Sequence, residues 1–421
     1  MSRSPRSVLV GMGETAGWCG QLVVGLRAIG LRADLLDLGP DPHGYTAERP
    51  LRARVVRWLA DRRRSGPGPR AAWTALHRLG MAWLFVHAVV RYDAFVFRAG
   101  DSFFNLRDLA LLRRLGRPVL VVFFGSDSRP PYLNGAEVDR HPTGNALVAE
   151  TVARRRMVEH TEREAGAIVC HVMSAQLHTR RSIAFLAVGI PRAPRDVAAR
   201  PLANPVRALH APSHGAGKGT ELVRAAVDTA REAGARVELE VIHGRPNAEV
   251  LTAIERCDFV IDQPYSDTPM AAFAAEAAAR GRPAIVGGLG WDELRVATPA
   301  ELLPPAHLCH PDQLADAVER LATDHAYRAE LGERARVFVG ERWSPASVAE
   351  RVLLALRGEA PEAWTFEPGA VVHPYGAGQS EARTGEAVRT VIDAAGVAGL
   401  RVADKPQLER SLVELATEGD R

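Results

Sequence analysis

Lys218 is one of only two lysines in a chain whose lysines and arginines number 53; the other is Lys405. It stands in "HAPSHGAGKGT" (210–220), between Gly217 and Gly219. An apolar, strand-like run precedes this loop, and "ELVRAAVDTAREAG", with helical spacing, follows it. A strand, a glycine-rich loop and a helix aim free backbone N–H groups and a helix dipole at one point, which favours phosphate. Glycine lets the backbone approach the anion. Lysine adds a compact cation on a flexible stem that can follow a diphosphate, whereas arginine prefers a fixed bidentate partner. The plainer reading is a surface lysine before a helix. The loop is not a P-loop, because Pro212 takes the first glycine position and Gly219 follows the lysine.

A second constellation is "DFVIDQPYSDTPMAAFAAEAAARGRPAIV" (258–286). A strand ends at Asp262 and Gln263, and a polar loop through Thr268, Met270 and Ala271 leads into a small-residue helix carrying Glu276. Alanines let that helix lie close on a sheet, which would turn Glu276 to the crevice. A carboxylate there can accept two hydroxyl hydrogen bonds, as from a ribose diol. A solvent-facing helical glutamate is the alternative. Near the N-terminus, Gly11, Gly13 and Gly17 form a loop one residue too long for the dinucleotide fingerprint. Arg98, Asp101 and Asp127 are the polar candidates in the same half. A turn or cap role suits each as well as a functional one, and Asp127 in "GSDSR" could simply close its turn.

These residues need elements to hold them. "SVLVGMGETAGWCGQLVVGLRAIG" reads as buried strand, glycine loop and amphipathic helix, and the same grammar restarts at "VRALHAPSHGAGKGTELVRAAVDTAREAG". Further strand-length apolar runs begin at Ala33, Ala94, Pro118, Ala167, Val237, Phe259 and Pro283. Continuous apolar strands alternating with helices indicate parallel sheets covered on both faces. The expectation is an α/β protein with two Rossmann-like domains, 1–195 and 196–345, each with a crevice at its strand C-termini. Residues 346–421 would form a crossing helix and a tail, with "TFEPGAVVHPYGAGQSEARTG" (365–385) as an irregular linker into two helices.

Composition sets outer limits. The chain has 421 residues, 47% of them hydrophobic and 24% charged, as in a soluble globular protein. The longest apolar stretch, "MAWLFVHAVV" (81–90), is too short to span a bilayer and reads as a buried helix. The N-terminus lacks a signal-peptide pattern, so a cytoplasmic location is expected. Cys19, Cys170, Cys257 and Cys309 lie far apart with no CxxC spacing, which points to reduced core thiols rather than a disulfide frame or metal site. The net charge of +3 hides an asymmetry: residues 1–190 carry 27 arginines and 16 acids, and the remainder 26 basic residues and 34 acids. Much of the excess lies in "RPLRARVVRWLADRRRSGPGPR" (49–70). Such a run is a solvated face or an attractor of an anionic partner, including peripheral contact at the inner membrane face. Nucleic acid is disfavoured because no aromatics interleave the charges.

In order and spacing these motifs resemble the GT-B glycosyltransferases, specifically the large retaining family 4 (group 1), whose donor domain ends in an "E…E.a..G.Pvi" motif. The resemblance runs through "HAPSHGAGKGT", the "IDQ" strand, "EAAARGRPAIV" and "HPDQLADAVERLATDHAYRAELGERAR". On the N-terminal side it includes the glycine loop and the "GSD.R" turn. It implies sugar transfer from a nucleoside diphosphate sugar to a small-molecule, glycan or lipid-linked acceptor, with retention and without metal or other cofactor. Lys218 then matches the diphosphate-binding lysine and Glu276 the ribose-holding glutamate. Gly13 and Gly17 match the loop approaching donor phosphate and acceptor. Three positions depart: the family's first glutamate falls at Thr268, its phosphate-binding arginine at Ser213 and its N-domain histidine at Phe124. Thr268 and Ser213 keep one hydrogen bond each, and the amides of the Pro269–Ala272 loop offer a phosphate cradle. Phe124 can do no proton chemistry. The departures leave open an epimerase, a non-glycosidic coupling enzyme or a catalytically silent partner subunit.

Overall fold

The computed structural model describes residues 4–40, 45, 51–65, 69–184, 189–192, 204–212 and 219–418. Two sheets organise them. The first contains β1 (Ser7–Met12), β2 (Arg32–Asp37), β3 (Ala94–Arg98), β4 (Val119–Val122), β5 (Ala167–Val169) and β6 (Ser182–Ile183). The second contains β7 (Val206–His210), β8 (Val237–Val241), β9 (Phe259–Ile261), β10 (Ala284–Gly287) and β11 (His307–Cys309). A last strand, β12 (Thr365–Phe366), joins the far edge of the first sheet.

The two sheets share a winding order. The first runs β2-β1-β3-β4-β5-β6-β12 and the second β8-β7-β9-β10-β11. All pairings are parallel except β12 against β6. In each, the chain reverses its direction of winding beside the first strand, between β1 and β3 and between β7 and β9. In open α/β sheets ligands bind outside the strand C-termini at such a switch point. The central strands are apolar along their whole length because helices cover both faces, and every residue of β1, β4 and β10 is buried. The edge strand β8 instead alternates, with Val237 buried and Glu238 and Glu240 exposed.

The C-terminal segment returns to the first domain. Ser344 caps the helix Pro345–Arg357 by accepting the Ser347 amide, and Gly358 ends it in the left-handed region. Val348, Ala349 and Val352 of this helix share a core with Trp18, Leu22 and Leu26 of the helix Trp18–Ala28. Gly25 is the closest approach: a β-carbon there would lie 1.8 Å from the Pro345 carbonyl oxygen. Helices Glu381–Ala395 and Pro406–Glu418 then pack near the helix Gly144–Glu164, burying Leu147, Val388, Val391 and Leu412 together. Tyr132 donates to the Leu400 carbonyl at 2.9 Å. Arg129 and Asp267, both buried, form an ion pair between the two halves. Breaking such a pair costs about 3–5 kcal/mol, because it leaves a buried charge unpaired.

Two long helices, Leu51–Ser65 and Arg70–Arg91, lie outside the first sheet. Their sequence suggests a buried 81–90 segment, but only one face is buried. Met81, Leu84, Phe85 and Ala88 join the core, while Trp83, Val86 and Val90 are exposed. An outer helix can bury only one stripe of its circumference against a sheet. Among the described residues, no helix is long and apolar enough to cross a membrane. All four cysteines are buried, and none forms a disulfide.

Candidate functional site

A cavity of about 250 Å³ opens at the switch point of the second sheet. Pro212 follows β7 on one side, and Asp262 and Gln263 follow β9 on the other. Ala271 and Glu276 form the wall beyond, and Ala16 and Tyr45 close it from the first domain. The cavity therefore spans the two halves.

Glu276 sits on the helix Ala272–Ala278, whose residues Ala274, Ala275, Ala277 and Ala278 are buried. Small side chains bring the helix close to β9 and β10 and leave the carboxylate at the cavity wall, only 7% exposed. It accepts a 2.9 Å hydrogen bond from Asn247 Nδ2. Burial pushes its carboxyl up to about 7, while Asn247, Arg280 and Arg192 oppose the rise. At neutral pH this group is divided between its two protonation states, so it can accept from a hydroxyl or donate to one.

Asn247 also donates to the Tyr45 hydroxyl, at 3.2 Å. The two hydrogens of one amide thus tie the second domain's carboxylate to a first-domain phenol. Arg192 holds the Tyr45 carbonyl at 3.1 Å. Burial raises the Tyr45 phenol above its ordinary range, and the nearby Glu276 charge adds to the rise. Gly17 has φ +80 at the start of the helix Trp18–Ala28. A β-carbon on it would stand 3.1 Å from the Tyr45 ring, so glycine both adopts the turn and makes room for the ring.

The other anticipated residues divide by place. Ser213, Gly217 and Lys218 lie outside the described residues. Gly219, with φ +66, begins the helix Thr220–Glu232 and lies against the Pro264 ring. Thr268 is buried, and its amide donates to Ser266 Oγ at 3.2 Å. Met270 is 1% exposed and belongs to the core rather than the cavity lining. The loop tucks it inward because an unbranched apolar side chain gains more from the core than from a polar rim.

The first domain carries a separate polar group at the ends of β1 and β3. Arg98 bonds Asp101 at 3.0 Å and reaches the Thr15 hydroxyl at 3.2 Å. Gly13 lies against this pair, where a β-carbon would be 3.2 Å from Asp101 Oδ2. Asp127 closes its turn by accepting the Phe124 amide at 2.9 Å, and its own amide donates to the Phe124 carbonyl at 2.7 Å. Burial pushes its carboxyl up to about 6, with Arg98 and Arg154 pulling it down. Phe124 itself packs edge-on against Trp18, with ring centroids 5.3 Å apart.

The first glycine loop holds an anion of its own. The Glu14 carboxylate accepts from the amides of Thr15, Cys19 and Gly20 at 2.7, 3.1 and 2.8 Å. The Cys19 and Gly20 amides lie in the first turn of the helix Trp18–Ala28, where a negative charge is stabilised. A phosphate approaching this loop would therefore meet a filled site, unlike the open loop that the glycines suggest. Asn247, Tyr45 and Glu14 are the site residues that spacing alone does not pick out. The sequence signal for Asn247 is its place in "HGRPNAEV", at a helix start following a strand. Among the described residues, no group of three or more His, Cys, Asp or Glu could hold a metal ion.

Two doubly wound α/β domains, a crossing helix that returns to the first, and a cavity between their apposed strand ends define the GT-B arrangement. No family model matches the sequence, and no curated protein matches it. Solved structures align over most of the chain with low identity. The glycotransferase of kitacinnamycin is 13% identical over 86% of this chain and 100% of its own, with a TM-score of 0.41. HepE of Anabaena in complex with UDP and glucose is 14% identical over 84% and 100%, with a TM-score of 0.44. The glycosyltransferase SnogD from Streptomyces nogalater is 14% identical over 84% and 100%, with a TM-score of 0.41.

Proposed function

We propose that the protein is a glycosyltransferase that moves a sugar from a nucleoside diphosphate sugar to an acceptor, retaining anomeric configuration and using no metal. The observation that carries this reading is the buried Glu276 carboxyl, aimed into a cavity that both domains line. Its two oxygens suit a ribose diol, with one shared with Asn247. Asp262 and Gln263 line the same cavity. Lys218 takes the diphosphate from the preceding loop, where charge accumulates as the sugar leaves. The acceptor enters on the side of Gly13, Arg98 and Asp101, and the arginine-rich first half favours an acceptor that is anionic or held at a membrane face. Retention rests on the likeness of the donor-domain motifs to the family 4 pattern.

Thermal-shift screening against UDP-, GDP-, ADP- and dTDP-sugars tests the donor class. A ligand at about 100 times its dissociation constant stabilises by about 2.7 kcal/mol. Slow release of free nucleoside diphosphate from one donor would support transfer, and NMR of the product anomer would read the configuration. The buried position of Thr268, where the family has a glutamate, favours a second reading as a donor-binding subunit without catalysis. Donor binding with no turnover under any acceptor would mark that case.

A further inference from the structure

We propose that the helical pair Leu51–Ser65 and Arg70–Arg91 is a docking surface for an anionic lipid bilayer. The second helix is apolar on two faces. Its inner face is buried in the core, with Gly80 against Val56 and Phe85 against Phe103 and Phe104. Its outer face exposes Leu76, Leu79, Trp83, Val86 and Val90 at 46, 67, 54, 60 and 81%. Their spacing of three and four residues places them in one stripe along the helix. A stripe of large apolar side chains this exposed is uncommon on a protein that meets only water.

The charge around the stripe is one-sided. Residues 51–91 contain nine arginines and a single acid, Asp61. No acid occurs from Arg62 through Tyr92. Between the two helices, Trp58 and Trp73 meet edge-on at 5.7 Å, and the Arg62 guanidinium lies 5.3 Å from the Trp58 ring centre. Tryptophan and arginine beside an apolar stripe form the pattern of a helix lying in the headgroup plane. The stripe would face the acyl chains while the arginines meet lipid phosphates. At 22 residues the helix is about 33 Å long, so it offers an extended line of contact.

A second copy of this chain is the other apolar partner to weigh. Heptad-like spacing suits helix pairing, but two such helices side by side would bring their arginines together with almost no acid to offset them. An anionic bilayer supplies that counter-charge, so charge complementarity selects the lipid. The surface lies close to the acceptor side. Arg57 donates to the Gly39 carbonyl at 2.7 Å, and Gly39 lies against Gly13. Docking stands without the transfer reaction; only the added step, that the acceptor is lipid-borne, rests on that reading.

The test is co-sedimentation of the full chain with vesicles of phosphatidylcholine alone or mixed with phosphatidylglycerol. Wild type should pellet with the mixed vesicles, and high salt should release it. L79S/W83S should keep the wild-type melting temperature and the donor-induced thermal shift, and lose vesicle affinity about tenfold or more. R62E/R63E/R64E should lose affinity comparably, but only for the anionic vesicles. Wild type that stays in the supernatant, or pellets equally with both vesicles, overturns the proposal. So does a solution dimer that L79S/W83S converts to monomer, which would assign the stripe to a second copy. Loss of the donor-induced shift in wild type would count against the transfer reading alone.

Discussion

Asn247 Nδ2 lies 2.9 Å from Glu276 Oε1, and this one hydrogen bond works against the burial that drives the carboxyl up to about 7. The folded protein therefore binds a proton at Glu276 more tightly than the unfolded chain, whose carboxyl has the ordinary value of 4.5. The resulting stabilisation is fully present below pH 4.5 and is lost as pH rises through about 7.

Glu276→Gln should thus be more stable than wild type above pH 7. Full ionisation costs about 2–4 kcal/mol for a shift of this size. The difference should vanish near pH 4, where both side chains are neutral. Urea denaturation of both proteins at pH 4, 6 and 8 measures it. A mutant that tracks wild type across that range would show that the carboxyl is not held in the buried state described.

Asn247→Ala removes the donor from Glu276 and from the Tyr45 hydroxyl together. Nucleoside diphosphate affinity should fall about tenfold, in line with 1.5–3 kcal/mol for a hydrogen bond to a charged group. Inorganic pyrophosphate binding should be unchanged. Isothermal titration with both ligands separates loss of the ribose contact from general loss of the site.

Gly25→Ala should destabilise the fold through the crossing helix. Its β-carbon would lie 1.8 Å from the Pro345 carbonyl oxygen and 3.0 Å from the Ala349 β-carbon. The helices Trp18–Ala28 and Pro345–Arg357 must move apart, at about 1–3 kcal/mol. A lower urea midpoint measures this. A mutant as stable as wild type would place the two helices farther apart than they stand.

Asp127→Asn distinguishes turn closure from proton chemistry. Asparagine can still accept the Phe124 amide through Oδ1, so the melting temperature should hold. If the ionised carboxylate serves the acceptor, wild-type kcat/KM should rise with pH through about 6, and the mutant should lose that limb with a large fall in rate. An unchanged profile would leave Asp127 as a turn residue.

Much of the fold was legible in the sequence because buried parallel strands are written as uninterrupted apolar runs. β1, β3, β4 and β10 are examples, and the restart at β7 marks the second domain. The two-residue strand β12 was not legible, since nothing local tells Thr365 that its partner is Ile183. The outer face of residues 81–90 was misread because an apolar run does not reveal which stripe meets the sheet. Glu276 at the crevice was legible from an alanine-rich helix bearing a single carboxylate. Glu14 filling its own loop was not, because glycine spacing gives the shape of an anion site but not its occupant. Asn247 and Tyr45 reach Glu276 from 29 and 231 residues away in sequence, so only the folded chain brings them together.

Isothermal titration of UDP, GDP and pyrophosphate against wild type, Lys218→Ala and Glu276→Gln tests the central claim most directly. Lys218→Ala should weaken all three ligands about ten- to a hundredfold, as expected for a lost charge-assisted contact to phosphate. Glu276→Gln should weaken the nucleotides but leave pyrophosphate within about twofold of wild type, since only the ribose contact changes. Wild-type affinity for every diphosphate in both variants would contradict the account and remove the nucleotide from this cavity.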